Sequence, residues 1–149
     1  HAAGWRGMVG GQAFDMAATG RPITLAQLEV MHRAKTGALL CAAIDLGALC
    51  AGADAATRAA LAQFGAAIGL AFQVVDDLLD AVSATATIGK RAGADAASGK
   101  NTFPGLLGVE ATRRRAGELL ETAVAALRTA GITTGPLPTI ARTIVERTS

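Results

Sequence analysis

Three aspartates and a glutamine interrupt one apolar stretch of the sequence, Phe72-Gln73-Val74-Val75-Asp76-Asp77-Leu78-Leu79-Asp80. A carboxylate in apolar surroundings is costly unless it pairs with a cation or coordinates a metal. Aspartates at i, i+1 and i+4 of a helix offer hard oxygen ligands on one side, which suit Mg²⁺ shared between carboxylates and substrate phosphates. The stretch therefore predicts a Mg²⁺ site formed by Asp76, Asp77 and Asp80, with a solvated acidic face as the alternative.

Three lysines complement these acids. Lys35 interrupts an apolar pattern at Lys35-Thr36-Gly37, whereas Lys90 and Lys100 lie in a glycine-containing stretch that follows the acids. A lysine beside an apolar stripe either extends its ammonium group to solvent or reaches a buried anion. Acids together with lysines that have no acidic partner nearby in the sequence predict a ternary site of carboxylate, Mg²⁺ and phosphate, with lysine on the remaining phosphate oxygens.

Other site chemistries find little support. A zinc site is poorly supported, because His1 and His32 are the only histidines. Cys41 and Cys50 fall on one predicted helix, about 13 Å apart along its axis, which is too far for a disulfide, so we expect both to be buried as small apolar residues. Reduced cysteines favour a cytoplasmic location. The sequence shows no Walker loop, dinucleotide fingerprint or nucleophile elbow.

Composition narrows the class of protein. The length of 149 residues suits one domain or part of one, and 51% of the residues are hydrophobic, with a mean hydropathy of +0.38. A net charge of +2 and 3% aromatic residues argue against nucleic-acid binding. No run reaches the roughly 18–20 apolar residues of a membrane span; the nearest, residues 36–53, is expected to be a buried core helix. Because the chain begins at His1, we expect it to be a piece of a longer protein.

Helices are expected to position the chemical groups, since no strand pattern is visible. A first helix would carry Gln12 and Asp15 on one face, with Gly10-Gly11 allowing close packing of a neighbour; the alternative for the two polar residues is a solvated face or a helix-end contact. Thr24 has the capping-box pattern of a second helix, which runs to about residue 51. The apolar spacing of that helix comes from Leu28, Met31, Leu39, Leu46 and Leu49.

The acidic stretch closes a third helix, from about residue 55 to residue 82. The apolar stripe of this helix steps by three and four residues through Leu61, Phe64, Ile68, Phe72, Val75 and Leu79. At 100° per residue, Gln73 and the three aspartates lie within an arc of about 100° on nearly the opposite side. Acids at a helix C-terminus are disfavoured by roughly 0.3–1 kcal/mol each. Because the cluster opposes local stability, it points to function.

The remaining sequence predicts a loop and two helices. Residues 83–101 would form a long loop that carries Lys90, Arg91 and Lys100 and acts either as a solvated linker or as a lid over an anion held near the acids. A helix from about residue 106 to residue 129 follows, with Arg113-Arg114-Arg115 most simply a solvated face. A short helix from residue 138 to about 147 closes the chain.

Four segments together resemble the trans-isoprenyl diphosphate synthases of the polyprenyl synthetase family, the farnesyl and geranylgeranyl diphosphate synthase type. The acidic stretch resembles the family's second aspartate-rich motif. Gly11-Gln12-Ala13-Phe14-Asp15 resembles its GQxxD segment, Lys35-Thr36-Gly37 its KT segment, and Gly89-Lys90 through Pro104 the loop that follows the second motif. The four segments occur in the family's order and span nearly the whole chain.

The resemblance implies an all-α fold, a helical bundle of the isoprenoid synthase type around a deep cavity, of which residues 1–149 would be about half. It implies that Asp76 and Asp80 bind Mg²⁺, with Asp77 completing the metal-binding face. The residues implied to contact the allylic diphosphate are Lys35, Thr36, Gln73, Lys90 and Lys100. Gln12 and Asp15 would lie at the rim of the site.

The family's reaction begins with ionisation of the allylic substrate. Mg²⁺ and lysines stabilise the departing pyrophosphate, and the double bond of isopentenyl diphosphate attacks the resulting cation. The resemblance implies that Lys35, Asp76 and Lys90 are the catalytic residues. An apolar cavity would shield the cation from water.

The first aspartate-rich motif of the family is absent, so the chain resembles the C-terminal half of such an enzyme. We expect these residues to be inactive alone and to need an N-terminal half, or a partner chain, that carries the first motif, within a full enzyme that is a homodimer. The alternative is a non-catalytic regulatory subunit of a heteromeric prenyl diphosphate synthase. A terpene cyclase is a weaker alternative, because the second metal motif of cyclases normally differs from FQxxDDxxD.

Overall fold

Seven α-helices and one π-helical segment make up the part of the chain that the structure, a computed structural model, describes: residues 1–86 and 99–147. The elements are α1 (Met8–Ala18), α2 (Leu25–His32), the π segment (Arg33–Gly37), α3 (Ala38–Cys50), α4 (Ala55–Ala86), α5 (Phe103–Leu107), α6 (Val109–Thr129) and α7 (Pro136–Glu146). These residues contain no strand, and the predicted all-α class is confirmed.

The central element is α4, against which α3, the π segment, α5, α6 and α7 all pack. Its predicted apolar stripe is largely confirmed, because four members are buried and two are half-buried: Leu61, Phe64, Ile68 and Val75, then Phe72 and Leu79. By length and composition, Ala55–Ser83 could also cross a membrane, but 61% of its most apolar window is buried within the protein, as in a core helix. The most membrane-like stretch is thus α4, and not residues 36–53.

Side-chain caps explain where helices α2 and α4 start. Thr24 Oγ1 accepts a hydrogen bond from Gln27 N at 3.3 Å, and Gln27 Oε1 accepts one from Thr24 N at 2.8 Å, which confirms the predicted capping box of α2. At the start of α4, Asp54 Oδ1 accepts a hydrogen bond from Thr57 N at 2.7 Å. This bond lowers the pKa of the Asp54 carboxyl. Both caps satisfy backbone N–H groups that have no partner within their helix.

The predicted helix from residue 24 to about residue 51 is interrupted by the π segment, where the apolar pattern of the sequence also breaks. Two glycines bring other helices against this segment. A Cβ atom on Gly11 of α1 would lie 2.2 Å from Lys35 N, and one on Gly69 of α4 would lie 3.0 Å from Gly37 Cα. Short π segments within α-helices are frequent at functional sites. Close backbone contacts therefore hold Lys35-Thr36-Gly37 between α1 and α4.

The prediction that both cysteines are buried is wrong, because Cys50 is exposed and Cys41 is half-buried.

Two further predictions about helix surfaces are wrong. The sequence predicts a buried helix at residues 36–53, but Leu39, Leu46 and Leu49 of α3 are 41%, 61% and 47% exposed. The apolar spacing identifies an apolar face, but it does not say whether anything covers that face. Arg115 is also not simply solvated, because Arg115 Nη2 donates a hydrogen bond to Glu29 Oε1 of α2 at 2.8 Å.

Several boundaries differ from the predicted ones. α4 continues to Ala86, α7 begins at Pro136, and the short helix α5 precedes α6. The greater part of the predicted loop or lid, with Lys90 and Arg91, lies at residues 87–98, outside the described residues.

Candidate functional site

A polar cavity of about 200 Å³ lies where α1, the π segment, α4 and the residues before α5 meet. Larger cavities of about 530 and 420 Å³ elsewhere are lined mainly by apolar residues, so polarity rather than size marks this one as the candidate site. Its lining contains six of the predicted site residues, together with three others: Asp15, Lys35, Gln73, Asp76, Asp77 and Lys100, then His32, Asn101 and Thr102.

Lys35 reaches an anion that is distant in the sequence. Lys35 Nζ lies 2.6 Å from Asp15 Oδ2, and the two side chains are 30% and 13% exposed. Asp15 lies one helical turn beyond Gly11, whose close approach brings α1 against the π segment. A partly buried, charge-assisted hydrogen bond is stronger than an exposed ion pair. The ammonium group of Lys35 is therefore held at the cavity instead of extending freely into solvent.

A chain of side-chain hydrogen bonds links the π segment to the acids. Thr36 Oγ1 donates to Gln73 Oε1 at 3.2 Å, and Gln73 Nε2 donates to Asp77 Oδ1 at 3.0 Å. Gln73 Nε2 also lies 3.5 Å from Asp76 Oδ2. Because an amide both accepts and donates, Gln73 can be fixed by Thr36 while it orients the carboxylates.

The three aspartates of the predicted acidic arc differ in exposure, although Asp76 and Asp77 line the same cavity. The side chain of Asp76 is 59% exposed, Asp80 is half-buried and Asp77 is only 5% exposed. Asp77 lies at the edge of the acidic arc next to buried residues of α4, where the start of α5 covers it. Asp77 Oδ2 accepts a hydrogen bond from Phe103 N at 2.9 Å. Packing of α5 against α4 therefore buries Asp77, while Asp76 next to it stays exposed.

His32 also lines the cavity, although no motif in the sequence indicated a role for it. His32 Nε2 lies 3.8 Å from Asp77 Oδ2, and within the described part of the chain neither ring nitrogen has a hydrogen-bond partner. The ring stacks on Phe103, with centroids 5.7 Å apart and planes at 24°. Burial and the charge of Lys35 lower the pKa of His32 to about 4, against a smaller opposing effect of Asp15. His32 is therefore neutral near pH 7; its position one turn before Lys35 was the available signal.

Two further residues reach the site from distant parts of the chain. Arg147, just after α7, has Nη2 3.9 Å from Asp76 Oδ1, and its guanidinium carbon lies 4.5 Å from the centre of the Phe72 ring. Asn101 Nδ2 donates to Ala18 O at 3.0 Å. No local pattern in the sequence indicates these contacts, because their partners are far apart along the chain.

The other predicted residues have varied positions. Gln12 and Thr36 line an adjoining groove of about 330 Å³, together with Met8, Val9 and Lys35. Asp80 lies on α4 one turn beyond Asp76 and is half-buried. Lys90 lies outside the described residues, so its position stays a prediction.

The carboxylates fit a hydrated Mg²⁺ better than a metal enclosed by protein ligands. In residues 1–86 and 99–147, no group of three or more His, Cys, Asp and Glu side chains could hold a metal ion by itself. Asp76 and Asp80 nevertheless offer hard oxygens one helical turn apart. Mg²⁺ usually keeps several waters and binds one or two carboxylates plus substrate phosphates, so this donor set suits it. The three-aspartate ligand set stays a prediction.

Known proteins with similar sequences include two farnesyl diphosphate synthases. The protein of Escherichia coli (strain K12) is 48% identical over 151 residues, which cover 98% of this chain and 50% of the relative. The protein of Geobacillus stearothermophilus is 41% identical over 146 residues, which cover 98% of this chain and 49% of the relative. The chain thus spans about half the length of the curated relatives that it matches.

Solved structures show the same fold and the same partial coverage. A decaprenyl diphosphate synthase from Rhodobacter capsulatus matches with a TM-score of 0.80 and 27% identity, over 95% of this chain and 56% of that one. The geranyltransferase from Helicobacter pylori, solved in complex with magnesium and isoprenyl diphosphate, matches with a TM-score of 0.73 and 31% identity, over 99% and 48%. The polyprenyl synthetase family model matches residues 4–130. The chain belongs to the polyprenyl synthetase family.

Proposed function

We propose that the chain is the C-terminal half of a prenyl diphosphate synthase that condenses an allylic diphosphate with isopentenyl diphosphate. The observation that carries the proposal is the convergence of Lys35, Gln73, Asp76 and Lys100 on one polar cavity. Cations and carboxylates around one cavity suit a diphosphate bound together with Mg²⁺. Membership of the polyprenyl synthetase family and the synthases named among the relatives support the reaction class.

The chain's own residues would bind and orient the leaving group. An ammonium group has three donors, so Lys35 can keep its bond to Asp15 and still donate to a diphosphate oxygen. Thr36 and Gln73 would add polar contacts, and Lys90 and Lys100 would supply further positive charge. Donors that are already positioned stabilise the charge that develops on the departing pyrophosphate. Lys35 is therefore the catalytic residue for which the described geometry offers the most support.

Asp76 and Asp80 would hold Mg²⁺ beside the diphosphate. When bound, the metal supplies positive charge that stabilises the leaving pyrophosphate. The groove next to Lys35, lined by Met8 and Val9, offers apolar surface for the prenyl chain and would keep water from the allylic cation. The polar cavity and the apolar groove thus meet at Lys35, where the bond between carbon and oxygen would break.

A second half is needed to complete this site. The exposed apolar residues of α3, Leu39, Leu46 and Leu49, offer surface that further helices could cover. We propose that an N-terminal half, or a separate chain, carries the first aspartate-rich motif. The regulatory-subunit alternative gains no support from the relatives, which are named as synthases. The homodimeric state and the cytoplasmic location stay predictions.

Complementation by a relative's first half tests the proposed function. The chain would be co-expressed with the N-terminal half of the Escherichia coli farnesyl diphosphate synthase, and incorporation of radiolabelled isopentenyl diphosphate would be measured with Mg²⁺. We expect background turnover from the chain alone, clear turnover from the pair, and a loss of roughly 100-fold or more in a pair with Asp76→Asn. A folded pair without turnover refutes the proposed function, and turnover by the chain alone refutes the need for a second half.

A further inference from the structure

Asp77 differs from the neighbouring acids in what its carboxylate already binds. Asp77 Oδ1 accepts a hydrogen bond from Gln73 Nε2 at 3.0 Å, and Asp77 Oδ2 accepts one from Phe103 N at 2.9 Å. The residue is 5% exposed, whereas the side chain of Asp76 is 59% exposed. Both oxygens of Asp77 therefore accept short hydrogen bonds from the protein, whereas Asp76 is exposed and has only longer contacts, from Oδ2 to Gln73 Nε2 at 3.5 Å and from Oδ1 to Arg147 Nη2 at 3.9 Å.

The bond to Phe103 N satisfies a backbone group that would otherwise be unpaired. Phe103 is the first residue of α5, and the first N–H groups of a helix have no partner within the helix. Thr102 Oγ1 caps Gly105 N at 3.2 Å, so Asp77 and Thr102 serve different N–H groups of the same turn. Since Phe103 is fully buried, the loss of its partner would leave an unsatisfied buried donor.

The side chain of Phe103 reinforces this attachment. The Phe103 ring stacks on the ring of His32, the last residue of α2, and His32 Nε2 lies 3.8 Å from Asp77 Oδ2. The ring of His32 thereby occupies space next to the carboxylate, which leaves less room for a hydrated cation at that oxygen. Asp77, Phe103 and His32 form a buried contact between α4, α5 and α2.

The segment that this contact holds lines the cavity. Lys100, Asn101 and Thr102 precede Phe103 directly and belong to the cavity lining. The other end of the segment is tied to the turn after α1, because Gly20 N donates to Gly99 O at 2.8 Å. The segment 99–103 is thus attached at both ends, and Asp77 provides the attachment on α4.

We propose that Asp77 is a positioning residue that anchors the segment 99–103, and with it Lys100, at the cavity, while Asp76 and Asp80 supply the carboxylates for the cation. The link to Lys100 as a diphosphate contact rests on the proposed function. The anchoring contact itself does not, so the two can be tested separately.

The first test measures the anchor without ligand. In the unmodified chain, a scalar coupling across the hydrogen bond between the Phe103 amide nitrogen and the Asp77 carboxylate carbon is expected in NMR spectra. Asp77→Ala should reduce the hydrogen-exchange protection of the Phe103 amide by roughly 10- to 100-fold, in line with the loss of a hydrogen bond to a charged acceptor. Asp77→Asn should retain most of the protection, because its one side-chain oxygen can still accept from Phe103 N, while its Nδ2 then faces Gln73 Nε2 and that hydrogen bond is lost. Asp76→Ala is the matched control.

The second test separates anchoring from metal binding. Affinity for pyrophosphate would be measured by calorimetry with and without Mg²⁺. Asp76→Asn should abolish most of the Mg²⁺-dependent gain in affinity, whereas Asp77→Asn should change it by less than about threefold. Should the unmodified chain, co-expressed with the N-terminal half, bind no pyrophosphate, the proposed function fails, but the Phe103 amide still decides whether Asp77 is the anchor.

Two results would overturn the proposal. One is equal protection of the Phe103 amide in Asp77→Ala and Asp76→Ala, with no coupling to the Asp77 carboxylate in the unmodified chain. The other is a loss of Mg²⁺ dependence in Asp77→Asn as large as in Asp76→Asn, which would assign Asp77 to the metal. If Asp77→Ala does not fold, the coupling in the unmodified chain and the two asparagine variants decide the question.

Discussion

Gly11→Ala tests whether close backbone packing of α1 positions Lys35. A Cβ atom at residue 11 would lie 2.2 Å from Lys35 N and 2.6 Å from Lys35 Cα, whereas ordinary contact begins at 3.4 Å. The backbones of α1 and the π segment would therefore have to separate by about 1.2 Å. Neither atom can rotate away, because both belong to the backbone.

The expected magnitude combines two opposing contributions. Overpacking against a rigid neighbour lowers the free energy of unfolding by roughly 1–3 kcal/mol. The stronger helix propensity of alanine raises it by at most about 1 kcal/mol. We expect a net loss of about 1–2 kcal/mol in the free energy of unfolding. The separation would also stretch the bond between Lys35 Nζ and Asp15 Oδ2, which is 2.6 Å long in the structure.

Gly117→Ala is the matched control, since Gly117 lies inside α6 and a Cβ atom there would have no neighbour within 4 Å. This control should gain roughly 0.5–1 kcal/mol from helix propensity. Urea unfolding followed by circular dichroism measures both variants. NMR of the Lys35 ammonium group reports on the ion pair with Asp15. If Gly11→Ala is stabilised as much as Gly117→Ala, or leaves the ammonium signal unchanged, the packing argument is refuted.

Three further predictions concern the ion pairs and His32. Arg115→Ala should lower the free energy of unfolding by about 1 kcal/mol, because it removes the hydrogen bond to Glu29. Arg113→Ala, at an exposed position, is the control and should change the free energy of unfolding by less than about 0.5 kcal/mol. Similar urea midpoints for the two variants would contradict this prediction. Because burial lowers the pKa of His32 to about 4, the unfolded chain takes up this proton first, so stability should fall as the pH drops from about 6.5 towards 4. The slope should reach at most about 1.4 kcal/mol per pH unit, and His32→Gln should remove this contribution in urea unfolding across that range. Lys35→Gln should weaken Mg²⁺-dependent binding of pyrophosphate roughly tenfold or more in calorimetry. An unchanged affinity would refute the proposal that Lys35 contacts the diphosphate.

Several structural features were predictable because their signals are local. Thr24 and Gln27 form the predicted capping box, and the stripe from Leu61 to Leu79 faces the core of the described structure. Motif spacing also identified the family, and the break in the pattern at Lys35 coincides with the π segment. Periodicity and capping depend on residues a few positions apart, so the sequence contains all the information they need.

Other features required contacts between distant parts of the chain. Nothing near Lys35 in the sequence indicates that its partner is Asp15, and the partner of Arg115 is Glu29 on α2. The spacing of Leu39 and its neighbours suggested burial, but no described helix covers them. Helical periodicity gives the direction of a side chain relative to its own helix, and the packing of other helices decides what it meets.

The adjacent aspartates Asp76 and Asp77 show the difference most clearly. The sequence by itself determined that acids cluster at the end of a long apolar helix, that lysines accompany them, and that the chain belongs to the polyprenyl synthetase family. Only the tertiary structure decided that Asp76 is exposed at the cavity while Asp77 is buried and bound to Phe103 N. The physical reason is that adjacent helical residues point about 100° apart. Both carboxylates line the cavity, but Asp76 stays exposed there, whereas Asp77 is covered by the start of α5, which comes from a separate part of the chain.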